Sequence, residues 1–75
     1  MRKSIDLNEL KVKAIILPHG EYRLGASMPV IDEGSFYRID GTHIIDKHKI
    51  KEIKRDGSRV EIDMADKKVI LEVVQ

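Results

Sequence analysis

Residues 36–45 read Phe-Tyr-Arg-Ile-Asp-Gly-Thr-His-Ile-Ile, and this stretch decides the fold class. Apolar, strand-forming residues stand on both sides of Asp40-Gly41. An Asp-Gly pair in that setting is a strong β-hairpin signal, because a tight turn needs residues that tolerate positive φ. The same signal recurs at Asp56-Gly57, between residues 48–55 and 59–64. Two hairpins are therefore predicted in the second half of the chain.

The other strands are predicted from the alternation of apolar and polar residues. Residues 21–28 alternate strictly and end at Pro29, and residues 31–35 are predicted to form a loop. Residues 59–64 alternate, and after a turn at 65–67 the strand 68–74 places Val69, Leu71 and Val73 on one face. In residues 10–17 one face would carry Leu10, Val12, Ala14 and Ile16. That assignment leaves Ile15 and Leu17 on the opposite face.

Residues 46–55 allow two interpretations. Ile50 and Ile53 are three apart, which is helical spacing, and Asp46 would cap a short helical turn. A strand with a β-bulge would account for the same spacing. The pattern leaves a turn and a bulged strand equally open, and the N-terminal residues 4–10 are similarly ambiguous.

Short strands separated by frequent turns indicate an antiparallel meander of five to seven strands. We expect a mainly β fold, closed as a small SH3/Sm-like barrel or built as a two-layer sandwich, with at most one short helical turn. The 75 residues form one domain on this interpretation, with residues 1–4 outside its ordered part.

Composition limits the environment and the class of partner. The chain has no cysteine, which fits a cytoplasmic location, and no apolar run near the ~20 residues of a membrane helix. No signal peptide is apparent after the basic N-terminus. The 14 Lys and Arg residues nearly balance the 13 Asp and Glu residues, so a globally basic nucleic-acid binder is not indicated.

No catalytic or metal-binding constellation stands out. None of the serines lies in a setting typical of a nucleophile, and the glycines lack phosphate-binding spacing. Asp46 and His48 would share a face in a strand, with Asp40 and His43 nearby. Because these candidates belong to one hairpin, exposed polar residues are a better interpretation than a metal site. We expect neither an enzyme nor a cofactor.

A local basic stretch is the best candidate for contact with nucleic acid. It could bind phosphates, and an exposed Tyr37 could stack on a base. A solvated strand face, on which lysines discourage aggregation, is the competing interpretation. The residues of this alternative site are Lys47, Lys49, Lys51, Lys54, Arg55, Arg59 and Tyr37.

The leading hypothesis comes from strands that are apolar on both faces. Ile15, Leu17, Ile70 and Val74 have no obvious place in one small core, and burial of each would be worth ~1.5–3 kcal/mol. Either an internal segment such as residues 4–10 covers them or a partner does. We therefore expect a non-catalytic module that acts through protein–protein contact, by self-association or by regulating a larger protein, with no role at a membrane.

Overall fold

The computed structural model describes residues 7–8, 10–41 and 43–74. These residues form one seven-stranded antiparallel sheet, curved into a half-barrel, in the order β4-β3-β2-β1-β7-β6-β5. The strands are β1 (Lys11–Leu17), β2 (Gly20–Asp32), β3 (Phe36–Ile39), β4 (His43–Asp46), β5 (Ile50–Asp56), β6 (Arg59–Met64) and β7 (Lys68–Val73). The mainly β prediction is confirmed, as an open half-barrel. The expectation for residues 1–4 lies outside the described residues.

Both predicted hairpins are present, but their turns differ. Ile39 pairs with His43, and φ is +52° at Asp40 and +80° at Gly41. Asp56 pairs with Arg59, so the central residues of the second turn are Gly57 and Ser58, one position later than predicted. Gly57 has φ +64° at the first central position, which is the pattern of a type II′ turn.

A β-bulge in β1 reverses the faces that the sequence predicted. Val12 pairs with Val73, whereas Ala14 pairs with Glu72, so the register shifts by one residue around Lys13. Because side chains alternate along a strand, one extra residue exchanges the two faces beyond it. Ile15 therefore points into the core, and Ile16 points outward.

Both interpretations of residues 46–55 are realised, one after the other. Lys47–Lys49 form a single 3-10 turn, η1, and the Asp46 side chain accepts a hydrogen bond from the His48 backbone N–H at its start. A bulge then follows in β5, since Ile50 pairs with Met64 and Glu52 with Asp63. The bulge explains why Ile50 and Ile53, three apart, both pack against the core.

Strand β2 is longer than predicted, because Pro29 does not end it. Its first part pairs with β1 and its last part, from Val30, pairs with β3. Pro29 lies at this change of partner, where a missing N–H is tolerated more easily than inside a regular ladder. Ile31 and Asp32 consequently belong to a strand and not to the predicted loop.

The core fills the concave side of the half-barrel. Leu7, from the ambiguous N-terminal segment, is completely buried in this core, and Leu10 is partly buried against the core. The buried residues of this core are Leu7, Val12, Ile15, Val30, Tyr37, Ile39, Ile45, Val60, Ile62, Met64, Val69, Leu71 and Val73. Within the described residues, no helix is long and apolar enough to cross a membrane.

Candidate functional site at the free edge of the sheet

Strand β4 forms one free edge of the sheet and carries an exposed apolar side chain. It is the terminal strand next to β3, so no strand of the described chain pairs with its outer side. Ile44, in the middle of β4, is 58% exposed. An edge strand offers unpaired backbone N–H and C=O groups to any extended segment that reaches it.

A second exposed isoleucine lies in line with Ile44 on the convex face. Ile31 of β2 pairs with Arg38 of β3, and Arg38 pairs with Ile44. Directly paired residues of an antiparallel sheet project to the same face, so the three side chains form one row. Ile31 is 49% exposed, and Arg38 forms an ion pair with Glu33. This row, Ile31–Arg38–Ile44, is called the convex row below.

The η1 end of β4 is fixed by charged contacts. Lys47 Nζ lies 2.7 Å from Asp32 Oδ1 and 4.7 Å from the centroid of the Tyr37 ring. The Lys47 ammonium, with the Gly34 N–H at 2.9 Å, lowers the pKa of the Asp32 carboxyl below its ordinary value of 3.8. Lys47, directly after β4, is thereby held against β2 and β3.

The opposite end of β4 carries an imidazole cluster. His43 Nδ1 lies 3.2 Å from Asp40 Oδ1, and the His43 ring lies 5.1 Å from that of Tyr22. The Tyr22 hydroxyl is in turn 3.0 Å from Nε2 of His19. The cluster joins the β1–β2 turn to the β3–β4 turn, which positions β4 from its second end.

A small apolar cavity opens beside β4. Its volume is about 60 Å3, and it lies between residues of β3 and β4 on one side and residues of β1, β7 and the turn before β7 on the other. Its lining consists of Ile15, Leu17, Ile39, His43, Ile44, Ile45, Lys67 and Val69. The pocket is too small for a cofactor, because sites for small molecules usually measure about 300–1,000 Å3.

The four predicted interface residues do not form one surface. Ile15 is 2% exposed and belongs to the core, and Leu17 is half-buried against it. The expectation that Ile15 and Leu17 lie on the face opposite the core is therefore corrected, because the bulge at Lys13 turns both toward the core. Val74 is 43% exposed and Ile70 is half-buried, both on the convex side.

The convex face around Ile70 is largely covered by charge. Ile70 lies opposite Ile16, which the sequence analysis assigned to the other face. On the neighbouring strands Glu21 lies opposite Ile16 and Glu61 lies opposite Ile70, so a carboxylate flanks each isoleucine. In the next row, Arg23 lies 3.9 Å from Glu72 across Ala14, which has no exposed surface. This face is therefore a less favourable apolar docking surface than the convex row.

The basic stretch does not form one surface either. Lys47 is held by Asp32, and Lys49 lies 3.9 Å from Asp66. In the strand register, Lys54 lies opposite Glu61 and Arg59 lies opposite Glu72, both on the convex side. Arg55 lies opposite Val60 of the core. Lys47 and Lys49 thus lie apart from the three cations of the β5–β6 hairpin, and the stretch is not one continuous basic surface.

Tyr37 is unsuited to stacking on a base. Its side chain is only 8% exposed, and Lys47 covers its ring. The alternation of residues 36–38 suggested an exposed tyrosine, but Tyr37 pairs with the buried Ile45 and so faces the core. The expected stacking role is therefore corrected.

The carboxylates and histidines of residues 40–48 serve local structure. Asp46 accepts from the His48 backbone, and Asp40 contacts both the backbone and the ring of His43. Among residues 7–8, 10–41 and 43–74, no group of three or more His, Cys, Asp or Glu side chains is arranged to hold a metal ion.

Sequence reasoning missed Ile31 and Ile44 as candidate site residues. Pro29 suggested that Ile31 lies in a loop, and Ile44 was taken only as part of a hairpin. The available signal was the run Ile44-Ile45, since adjacent residues of a strand cannot both face the core. The partner of Ile44 across β3, in contrast, depends on a register that local sequence does not reveal.

Comparison with known proteins gives no match: no family model, no curated protein and no solved structure matches this chain.

Proposed function

We propose that this chain is a non-catalytic protein-binding module that adds an extended segment of a partner protein to the free edge of β4. One observation carries the proposal: the same short strand is the terminal strand of the sheet formed by the described residues and carries a side chain that is 58% exposed. The backbone would hydrogen-bond to the segment, and the convex row would contact its alternate side chains.

The expected affinity is modest. Each new backbone hydrogen bond contributes ~0.5–1.5 kcal/mol net, and burial of each isoleucine contributes up to ~1.5–3 kcal/mol. Association costs ~4–15 kcal/mol in lost freedom. Because β4 has only four residues, dissociation constants of roughly micromolar or weaker are expected.

A peptide selection tests the proposal. The chain would be used to select from a library of random peptides displayed on phage, and amide hydrogen exchange would then locate the bound peptides. We expect peptides with alternating apolar residues and slower exchange of the amides of His43–Asp46. Ile44→Lys should weaken binding about ten-fold or more, because it removes buried apolar area and introduces a charge.

Val74→Lys is the matched control. Val74 is also an exposed aliphatic residue, at 43%, but it follows β7, which β3, β2 and β1 separate from β4 in the sheet. The control should bind as the wild type does. Equal losses in both variants, or protection confined to other strands, would contradict the proposal.

Self-association is one form of this function. If the chain dimerises alone and Ile44→Lys makes it monomeric, the bound segment is β4 of a second copy. Sedimentation at micromolar concentration distinguishes this form from binding to a different protein. A C2 dimer would use the same edge twice.

Nucleic-acid binding at the β5–β6 hairpin is the second candidate function. Lys54, Arg55 and Arg59 line an open groove of about 400 Å3. Lys54 and Arg59 form no close ion pair within the described residues, and both add to the effect of Lys68, which lowers the pKa of the neighbouring Glu61 carboxyl. Asp56 and Glu61 line the same groove, which weakens its attraction for phosphate. Salt-sensitive binding of an oligonucleotide, with exchange slowed at this hairpin and not at β4, would favour this candidate.

A further inference from the structure

We infer that the cavity beside β4 receives one aliphatic side chain of the bound segment, with a carboxylate of that segment beside Lys67. This inference rests on the proposed function, because it specifies which extended segment β4 would select. The occupant is therefore a stretch of partner polypeptide with an aliphatic residue and an acidic residue on one face.

The geometry of β4 directs alternate partner side chains toward the cavity. His43 and Ile45 pair with Ile39 and Tyr37, which face the core, so both project to the concave side. A partner residue paired directly with His43 or Ile45 would project to the same side. Because His43 and Ile45 both line the cavity, that partner residue reaches its opening.

The volume selects the type of side chain. About 60 Å3 is several times the ~10–15 Å3 that one water molecule needs, yet far below the space of a small-molecule site. The walls are mostly aliphatic, and Ile15, Ile39, Ile45 and Val69 are each at most 4% exposed. An aliphatic side chain has no polar group whose hydrogen bonds to water would be lost in this space, whereas an indole ring is too large for it.

The charge at the rim selects the neighbouring residue. The side chains that line the cavity include Lys67 and His43 but no carboxylate. Lys67 is exposed, and its ammonium forms no ion pair with the residues that the structure describes. An acidic residue two positions from the aliphatic one shares its face of the partner strand and would lie near Lys67.

Short peptides test both parts of the inference. The probes are Ser-Val-Xaa-Val-Asp-Ser, with Gly, Val or Trp at Xaa, measured by titration against the full chain. The Val peptide should bind about ten-fold or more tightly than the Gly peptide, because it buries an aliphatic side chain. The Trp peptide should bind no better than the Gly peptide.

Two variants of the chain test the two parts of the inference, which are the aliphatic side chain in the cavity and the carboxylate beside Lys67. Val69→Ile adds one methylene group to the cavity wall and should remove the preference for Val over Gly. Lys67→Glu should weaken the Asp-containing peptide several-fold, and a peptide with Lys in place of Asp should then regain affinity. Lys13→Glu, at an exposed lysine in the β1 bulge, is the control and should change neither result.

The outcomes separate the inference from the proposed function. Equal affinities of the Gly and Val peptides, with slower exchange in β4, would overturn the inference and leave strand addition standing. Slower exchange only at other strands, or no binding by any of the three peptides, would overturn both.

Discussion

The two edges of the sheet expose the same kind of backbone but carry opposite side chains. β5 has seven residues, and Lys51, Glu52, Lys54 and Arg55 are all exposed along it. β4 has four residues and exposes Ile44. Charge and a bulge are common means of protecting an edge from unwanted pairing, and β5 has both. Among the described residues β4 has no bulge and no row of exposed charges and is protected mainly by its shortness, which suggests that pairing along β4 is tolerated or used.

The same contrast extends to the faces next to each edge. Beside β5, the convex side chains alternate in charge, as in the row Asp56, Arg59 and Glu72. Beside β4, the corresponding row is isoleucine, arginine, isoleucine. The protected edge, β5, thus adjoins a charged face, and the less protected edge, β4, adjoins a more apolar face. Both the edge and its neighbouring face therefore indicate the β4 end of the sheet as the contact surface.

The largest expected effect concerns how firmly each edge is attached to the core. Ile45 of β4 is 4% exposed, whereas Ile53 of β5 is only partly buried. Ile45→Ala should lower the free energy of unfolding by ~2–4 kcal/mol, and Ile53→Ala by about half as much, because less buried volume is lost. Urea unfolding of both variants measures the difference. A larger loss for Ile53→Ala would show that β5, and not β4, is the more firmly packed edge.

The next effect is a change of solubility when β5 loses its protection. Lys54→Val removes a charge from the edge strand and places a β-branched residue on its convex face. We expect reversible self-association at high concentration, with little change in the free energy of unfolding. Light scattering measures it. Lys11→Val, on the internal strand β1, is the control and should associate no more than the wild type; association of both variants alike would mean that the edge is not the cause.

Local patterns located both hairpins and most strand residues, although β2 runs past Pro29 and the second turn lies one residue later than predicted. The alternation over residues 59–64 and the Asp-Gly pairs depend only on neighbours in sequence. The Asp46 cap of η1 is equally local, since its acceptor and donor are two residues apart. Properties of this kind need no knowledge of the partner strands.

The faces of β1 and the candidate site needed information that no short window contains. The bulge at Lys13 is defined by pairing with Glu72 and Val73, near the other end of the chain. Without it, Ile15 and Leu17 were assigned outward and Ile16 inward. Likewise, Ile31 and Ile44 become neighbours of Arg38 only through the registers of β2, β3 and β4. Cross-strand register, more than strand identity, therefore limited the prediction of function.

The smallest expected effect concerns η1, the 3-10 turn that connects the edge strands β4 and β5. Lys47 of η1 lies between β4 and β5 in the chain, and its ion pair with Asp32 lowers the pKa of that carboxyl in the folded protein. A lowered folded pKa contributes stability above the ordinary value of 3.8, and this contribution is lost as the pH falls through the folded pKa. Asp32→Asn should therefore lower the midpoint of thermal unfolding slightly at neutral pH.

At acid pH the wild type and Asp32→Asn should converge, because the wild-type carboxylate is then protonated as well. Thermal unfolding followed by circular dichroism across the acid range measures this convergence. Asp66→Asn is the control, because Asp66 lies 3.9 Å from Lys49 at an exposed site and should give a smaller difference at neutral pH. A gap between wild type and Asp32→Asn that widens on acidification would mean that Asp32 does not act through its charge. The stability of η1 would then depend on its backbone hydrogen bonds, such as that from the Lys47 N–H to the Ser35 carbonyl.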